Sequence, residues 1–434
     1  MSAPDTSAAA LERRTMAKVM WRLPALMALM FLVNNIDRVN VSFAALTMNR
    51  DLGLSPLAYA WGAGIFFWAY FAFEVPSNVI LARMGARRWI ARIMISWGLV
   101  SGAMALVTGQ TSFLILRFLL GAAEAGFIPG LLYYITRWFP QRYRARATAI
   151  FFLSAPVGNA VAGLLAVPLL SLDGWLGLAG WQWMFVAEAI PALALGAWVL
   201  FRLPERPRDA KWLTREECAW LEGAADQQVA KHPPALEQVK AVFNRRVGLL
   251  SLAYFGRNCA MYGVSLFLPL MLQAAGLSNA QVSYVATIPF LIAGLGAVAW
   301  AASSDRFSER HGHTIGAMVL AACGLALAAA LGPSWGALIA VSLAAVGLYG
   351  QAVTFWSLPP MMLNAGTIAA GLAAINAVGN LGGFIGPYVV GKAATDTGNY
   401  GMALYLLAGA AAASALVSLV IWRLKWDRPA QGVI

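Results

Sequence analysis

Apolar runs of about twenty residues or more recur twelve times along the chain, separated by short polar or basic stretches. They fall at about 23–48, 58–82, 89–108, 112–136, 146–170, 181–203, 247–274, 282–303, 314–332, 335–363, 368–391 and 400–422. A helix rising 1.5 Å per residue needs roughly 20 residues to cross a ~30 Å hydrocarbon core. The pattern predicts an all-α integral membrane protein with twelve transmembrane helices. The one long polar interruption divides the runs six and six. The predicted organisation is a tail at 1–22, a six-helix bundle at 23–203, a linker at 204–246, a second bundle at 247–424 and a tail at 425–434. Within the linker, Thr214-Arg-Glu-Glu217 has the capping-box pattern that opens a short surface helix. The rest of the linker reads as a tether.

The two halves echo one another. Val157-Gly158-Asn159 in the fifth run returns as Val378-Gly379-Asn380 in the eleventh, and each triplet is followed by glycines and a proline, Pro168 and Pro387. A basic loop at Arg83, after the second run, returns at Arg306 after the eighth. Corresponding features in corresponding runs point to duplicated, pseudo-symmetric halves, the plan of transporters that bind substrate near the midplane.

Charge settles which class of basic protein this is. The net charge is +12, which taken alone suits a nucleic-acid binder. Of the 31 Lys and Arg, however, Arg38, Arg117 and Arg257 fall inside apolar runs, Arg50 and Lys392 in one set of loops, and the other 26 in the alternate loops, the linker and the termini. That asymmetry is the positive-inside rule, and it predicts cytoplasmic termini and a cytoplasmic linker. No nucleic-acid partner is expected. The first run is too long for a secretory signal and lacks a small-residue cleavage site. Cys218, Cys259 and Cys323 show no metal or redox spacing, and His232, His311 and His313 all lie in loops. Neither a metal nor an organic cofactor is expected.

Candidate chemistry lies where charge enters the membrane. Asp37, Arg38, Glu74, Arg117, Glu124, Glu188 and Arg257 fall within apolar runs, and such residues face a cavity or a partner far more often than lipid. Asp37 and Arg38 sit roughly 15 residues, or ~22 Å, into the first run, and adjacent helical residues diverge by about 100°. The two are therefore expected to address different neighbours, with Asn34 sharing the face of Asp37 and Asn35 that of Arg38. Arg117 and Glu124 lie seven residues apart on one face of the fourth run, with the small Gly121 between them. Two readings fit this set: a water-accessible site with two carboxylates and two guanidiniums, or an ion-pair network joining helices. On the first reading, an anion arriving at an arginine competes with the acids and favours their protonation, which couples anion uptake to protons. Glu74 and Glu188, each near a proline, read as helix packing or gate support. Arg257, beside Asn258 and one turn before Tyr262, is either a structural partner of an acid or a further carboxylate anchor. Neutral polar residues (Asn159; Gln351, Thr354, Trp356 and Ser357; Asn376 and Asn380) can read ligand hydroxyls or serve as interhelical glue.

Several stretches resemble a known family. Twelve spans in two halves with basic loops at 83–92 and 305–310 are similar to the major facilitator superfamily. Arg83, Arg87 and Arg88 stand in the first loop motif and Asp305-Arg306 in the second, while Ala82 replaces an acid common in the superfamily. More specifically, NNIDRVNVSFA (34–44), FEVPSN (73–78), GARRWIARIM (85–94), LRFLLGAAEAGFIPG (116–130), WFPQRYRARA (138–147), MYGVSLFLP (261–269), FWSLPP (355–360) and INAVGNLGGFIGPYVVG (375–391) resemble the anion:cation symporter family. That family includes bacterial galactonate, glucarate, tartrate and phthalate permeases.

The resemblance implies proton-driven uptake of an organic anion by alternating access in a bacterial inner membrane, with H⁺ as coupling ion and a monomer as the functional unit. Asp37 and Glu124 resemble the proton carriers, Arg38 the substrate-carboxylate ligand and Arg117 its fourth-helix partner. The eleventh-helix asparagine corresponds to Asn376 or Asn380. Asn35 stands where many members carry tyrosine, and Arg257 is basic where that is not the family's pattern. The expected substrate is a small hydroxy acid or dicarboxylate such as tartrate or an aldarate or aldonate. An aromatic carboxylate is the alternative, and an exchanger or exporter of the same fold a further one. A membrane enzyme would need a nucleophile–base pair or metal ligands, and the chain shows neither.

Overall fold

The computed structural model describes residues 6–226, 244–363 and 368–425. Expectations for His232, for the middle of the linker, for the uncharged connection after the tenth run and for most of the C-terminal tail concern residues wholly or partly outside these. The first six crossings are α1 (Thr6–Asp51), α2 (Pro56–Met84), α3 (Ala86–Ala103), α4 with α5 (Gln110–Glu124, Phe127–Trp138), α6 with α7 (Gln141–Phe152, Ser154–Leu170) and α8 (Gly180–Arg202). The linker holds α9 (Arg215–Asp226). The last six are α10 (Arg245–Ala274), α11 (Asn279–Arg306), α12 (His311–Leu331), α13 with α14 (Trp335–Phe355, Leu358–Met362), α15 with α16 (Ile368–Asn380, Gly382–Thr397) and α17 (Gly401–Arg423).

Eleven helical segments among the described residues are long and apolar enough to cross a membrane. The twelfth, α10, is 30 residues long but outside that set, because Arg257 and Asn258 interrupt its apolar middle. It is buried along much of its length, so its surroundings are protein more than lipid.

Four of the predicted runs are broken rather than continuous. The break in the fourth, directly after Glu124, has a local cause. Gly126 takes φ 87°, a conformation that favours glycine, and Pro129 follows within the first turn of α5, where its missing N–H costs nothing. The Ala125 carbonyl accepts from the Ser77 hydroxyl at 2.7 Å, and Ser77 in turn accepts from Trp89 Nε1 at 2.9 Å. The FEVPSN and GFIPG stretches thus interlock.

The duplication is visible in packing. Gly158 lies against Leu32 and Asn35 of α1, and Gly379 lies against Tyr254 of α10, so each repeated glycine seats its helix on the first helix of its own half. Contacts between the halves are made by α2 with α16, α7 with α11 and α1 with α10. They cluster at midplane and toward the end bearing the 51–56 and 397–401 connections. There Tyr59 donates to the Leu266 carbonyl at 2.8 Å, Gln273 donates to the Leu46 carbonyl at 3.0 Å, and Trp61 packs on Phe384 and Tyr388.

The N-terminal segment differs from the predicted tail, since α1 is helical from Thr6 onward. Alanine, leucine, glutamate and arginine there are good helix formers, and the extension is held by the linker. Arg14 and Lys18 each reach Glu217 at 2.9 Å, Arg22 lies over Trp212, and Trp212 stacks on Trp138. The capping box forms as predicted: Thr214 N–H donates to Glu217 Oε2 at 2.9 Å and Glu217 N–H to Thr214 Oγ1 at 3.2 Å.

Burial opposes ionisation of Glu217, but hydrogen bonds from Lys18 and Thr214 and the charges of Lys18 and Arg14 outweigh it, holding the carboxyl below the usual carboxylate range. A depressed pKa adds stability above the unfolded value and loses it as pH falls through the folded one. Linker docking is therefore expected to hold at neutral pH and loosen in acid below that range. Limited proteolysis of the purified protein checks this: Glu217→Gln should be cut in the linker several-fold faster than wild type at neutral pH. Equal rates would contradict it.

Candidate functional site

Midway along α1, Asp37 and Arg38 point to different partners, as their angular divergence predicts. Arg38 Nη2 donates to Glu124 Oε2 at 2.8 Å, and Asn34 Nδ2 donates to the same oxygen at 2.8 Å. Glu124, the last residue of α4, projects from the helix end opened by the break at Gly126. Arg38 Nη1 reaches the Tyr262 hydroxyl of α10 at 3.4 Å, and its guanidinium lies over Phe66 and Tyr70 of α2. Arg38 is 7% exposed and Glu124 fully buried. A buried pair this well bonded is sustained by its geometry, and loss of one partner strands the other.

Asp37 turns to the opposite side. Its Oδ1 accepts from the Ser101 hydroxyl of α3 and, at 3.5 Å, from Asn40 Nδ2. Asn34 therefore groups with Arg38, four residues on, rather than with Asp37. Asn35 is no part of the cluster: its Nδ2 donates to the Phe31 carbonyl of its own helix at 2.7 Å, and its Cβ packs at Gly158.

Arg117 does not pair directly with Glu124. Its Nε and Nη2 donate to the Gly62 and Ala63 carbonyls of α2 at 3.1 and 3.3 Å, beneath Phe66. Gly121, one turn on, lets the Phe66 backbone approach where a side chain would collide with it. Glu124 and Asp37 both act on the charge of Arg117, which sits between the two acids electrostatically.

Across the midplane, Arg257 of α10 donates from Nε to the Leu348 carbonyl at 3.0 Å and from Nη1 to Asn258 Oδ1 at 2.7 Å. Its guanidinium lies near Tyr254, which packs on Phe355 and Trp356. Arg257 is 7% exposed and has no acidic partner among the described residues. Asn258 passes the network on to the Gly379 carbonyl at 3.0 Å. Asn159 of α7 donates to the Tyr349 hydroxyl at 2.8 Å, and the charge of Arg257 reaches that ring. Tyr262 neighbours both groups, bonding Arg38 and packing on Phe67 at 4.4 Å. Of the two eleventh-helix asparagines, Asn376 reaches across the halves and donates to Glu74 Oε1 at 2.6 Å, while Asn380 is buried one turn on.

The sequence pattern of the Major Facilitator Superfamily matches residues 27–387 and, in a second overlapping match, 250–433. The chain belongs to this superfamily. A protein of Agrobacterium vitis named "Putative tartrate transporter" is 46% identical over 414 residues, covering 95% of this chain and 92% of that one. The "Quinolone resistance transporter" of Acinetobacter baumannii is 40% identical over 402 residues, covering 91% of this chain and 92% of that one. Among solved structures, a bacterial homologue of the human lysosomal transporter Spinster, inward-facing and occupied, superposes with a TM-score of 0.75 at 18% identity, covering 94% of this chain and 98% of that one. The chain is a multi-pass membrane transporter and not an enzyme.

In this superfamily member the loop-motif residues lie apart from the central cluster. Arg83 and Arg88 are exposed, and Asp305 pairs with Arg310 at 2.5 Å within its own loop, with Arg306 exposed beside it. The first loop is instead organised by an acid that the motif reading missed. Glu205 accepts from the Ala86 and Arg87 backbone N–H groups, both at 2.9 Å, capping α3 where positive charge at a helix start favours a carboxylate. Gly85, at φ 85°, lets Glu205 approach. Phe66, Tyr70, Ser101, Asn40 and Tyr349 were also missed. Only Asn40 carried a signal, as the third asparagine of NNIDRVN.

Proposed function

We propose that the chain is a proton-coupled symporter of a bacterial inner membrane, importing a small hydroxylated dicarboxylate of the tartrate class by alternating access. The observation that carries this reading is Arg257. A buried guanidinium bonded only to neutral groups retains its demand for an anion, and Arg257 lies five residues before Tyr262 on α10, the residue that bonds Arg38 of the other half. Two buried planar forks, one in each half, suit a diacid, one carboxylate to each. The neutral donors and acceptors around them, Tyr262, Asn258 and Tyr349, suit its hydroxyls. The name carried by the Agrobacterium relative agrees with this class.

Arg38 serves both substrate and coupling. Glu124 holds it at rest, and an incoming carboxylate competes for the same fork. Released from Arg38, a buried Glu124 favours its protonated form. Anion binding thereby loads a proton. Arg117 holds the α4–α2 contact while biasing both acids. The basic end carries the linker and is read as cytoplasmic.

Thermal-shift measurements on purified protein test the diacid assignment. Tartrate is expected to stabilise wild type more than monocarboxylates do, and Arg257→Ala should erase that difference. Stabilisation by monocarboxylates alone, unchanged by the substitution, would contradict it. The aromatic set of Tyr254, Phe355 and Trp356 beside Arg257 favours an aromatic carboxylate as the second reading, and a larger shift with phthalate than with tartrate would select it.

A further inference from the structure

The coupling scheme leaves two buried acids unused, Glu74, which accepts from Asn376, and Glu188. Glu188, midway along α8, is 4% exposed, and among the described residues neither carboxylate oxygen has a hydrogen bond of ordinary geometry, the Asn40 amide being the polar group that acts on it. Its neighbour Ala189 packs against Gly102 of α3, next to the Ser101 that bonds Asp37, and Asn40 and Asp37 of α1 both act on its carboxyl. Asp37 is fully buried, its Oδ1 occupied by Ser101 and Asn40 while Oδ2 has no partner. Two buried carboxylates, each with an open oxygen, therefore flank the Asn40 amide.

The charged groups around this pair are unevenly placed. Among the described residues the charged group acting on Glu188 is Asp37 of α1. α3 contributes the Ser101 hydroxyl, and α7, also packed on α8, brings no charge to Glu188. Arg38, Arg117 and Glu124 act on Asp37 from the α4 side, and neither arginine forms an ion pair with Asp37 or Glu188. Like-charged carboxylates in so dry a setting do not both ionise; such a pair shares a proton.

We propose that Asp37 and Glu188 form a shared-proton site on the α3 and α8 side of α1, distinct from the Glu124–Arg38 pair on the α4 side, and that this site carries one of the protons moved with the anion. The proton sits between a neutral acid and its neighbouring carboxylate, and it is taken up from and returned to water without other chemistry. Glu188, read from sequence as packing or gate support, becomes a proton-binding residue. The transport part of this proposal rests on the symport reading above.

Two measurements on the full chain test it. The first is infrared difference spectroscopy on detergent-purified protein through a pH titration. Wild type should show the carbonyl absorption of a protonated buried carboxylic acid that titrates, and Glu188→Gln should lose or shift it. No titrating band in wild type, or an unchanged one in Glu188→Gln, overturns the site whether or not the symport reading stands. The second is steady-state accumulation of labelled tartrate in proteoliposomes under a pH gradient. Losing one coupled proton lowers the accumulation ratio about tenfold per pH unit of gradient. Accumulation by Glu188→Gln equal to that of wild type overturns the transport role alone. Wild-type uptake that requires Na⁺, with the requirement lost in Glu188→Gln, would make the pair a metal-cation site and overturn the proton assignment.

Discussion

Arg38→Ala is expected to abolish anion uptake while leaving a folded protein. Arg38 joins three helices: it bonds Glu124 of α4, touches Tyr262 of α10 and lies under the α2 aromatics. A carboxylate bound to its fork gains two charge-assisted hydrogen bonds, each worth roughly 1.5–3 kcal/mol, so alanine should weaken binding by about 100-fold or more. Glu124 would then be stranded, but a buried acid escapes that cost by taking a proton, and Asn34 still donates to it. Size-exclusion and thermal-unfolding profiles near those of wild type would establish the fold. Arg38→Lys keeps the charge without the planar fork and should fall between the two. Normal uptake by Arg38→Ala in proteoliposomes would remove Arg38 from the site.

Glu124→Gln is the second. Glutamine is the same shape and still accepts from Arg38 and Asn34, so the site keeps its geometry and loses its proton. Wild type should accumulate tartrate against its gradient when the outside is acidic. In Glu124→Gln the accumulation ratio should fall about tenfold per pH unit of gradient, and its dependence on external pH should weaken accordingly. Exchange of internal for external anion, which moves no net proton, should continue. Accumulation equal to that of wild type would show that Glu124 is not a coupling acid.

The sequence made the membrane helices, their grouping and the charged positions readable, because apolar run length and the cost of intramembrane charge are local properties. The partners of those charges were less readable. Asn34 was placed with Asp37 by angle alone, whereas the break after Glu124 brings that carboxylate to the face that Asn34 shares with Arg38. Arg117 was set facing Glu124, yet the close approach of α2 at Gly121 puts backbone carbonyls within reach of its fork. Arg257 was left between two roles, and only the absence of an acid among its described neighbours separated them. The helical N-terminal extension was hidden because its polar residues look like a tail until α9 is docked on them.

The repeat, by contrast, carried further than its three residues warranted. Gly158 and Gly379 occupy equivalent packing positions, one against α1 and the other against α10, so the tripeptide marks a contact and not a chance recurrence. Asn159 and Asn380, which follow them, have diverged: the first bonds Tyr349 across the halves, and the second is buried with no such bond described.

The most direct test of the central account is proton movement itself. Full-length protein is reconstituted in tight proteoliposomes containing a pH-sensitive dye, and tartrate is added outside with no gradient imposed. The interior is expected to acidify in a way that requires tartrate, is absent with Arg38→Ala and is reduced per tartrate moved with Glu124→Gln. Tartrate entry without interior acidification would contradict it.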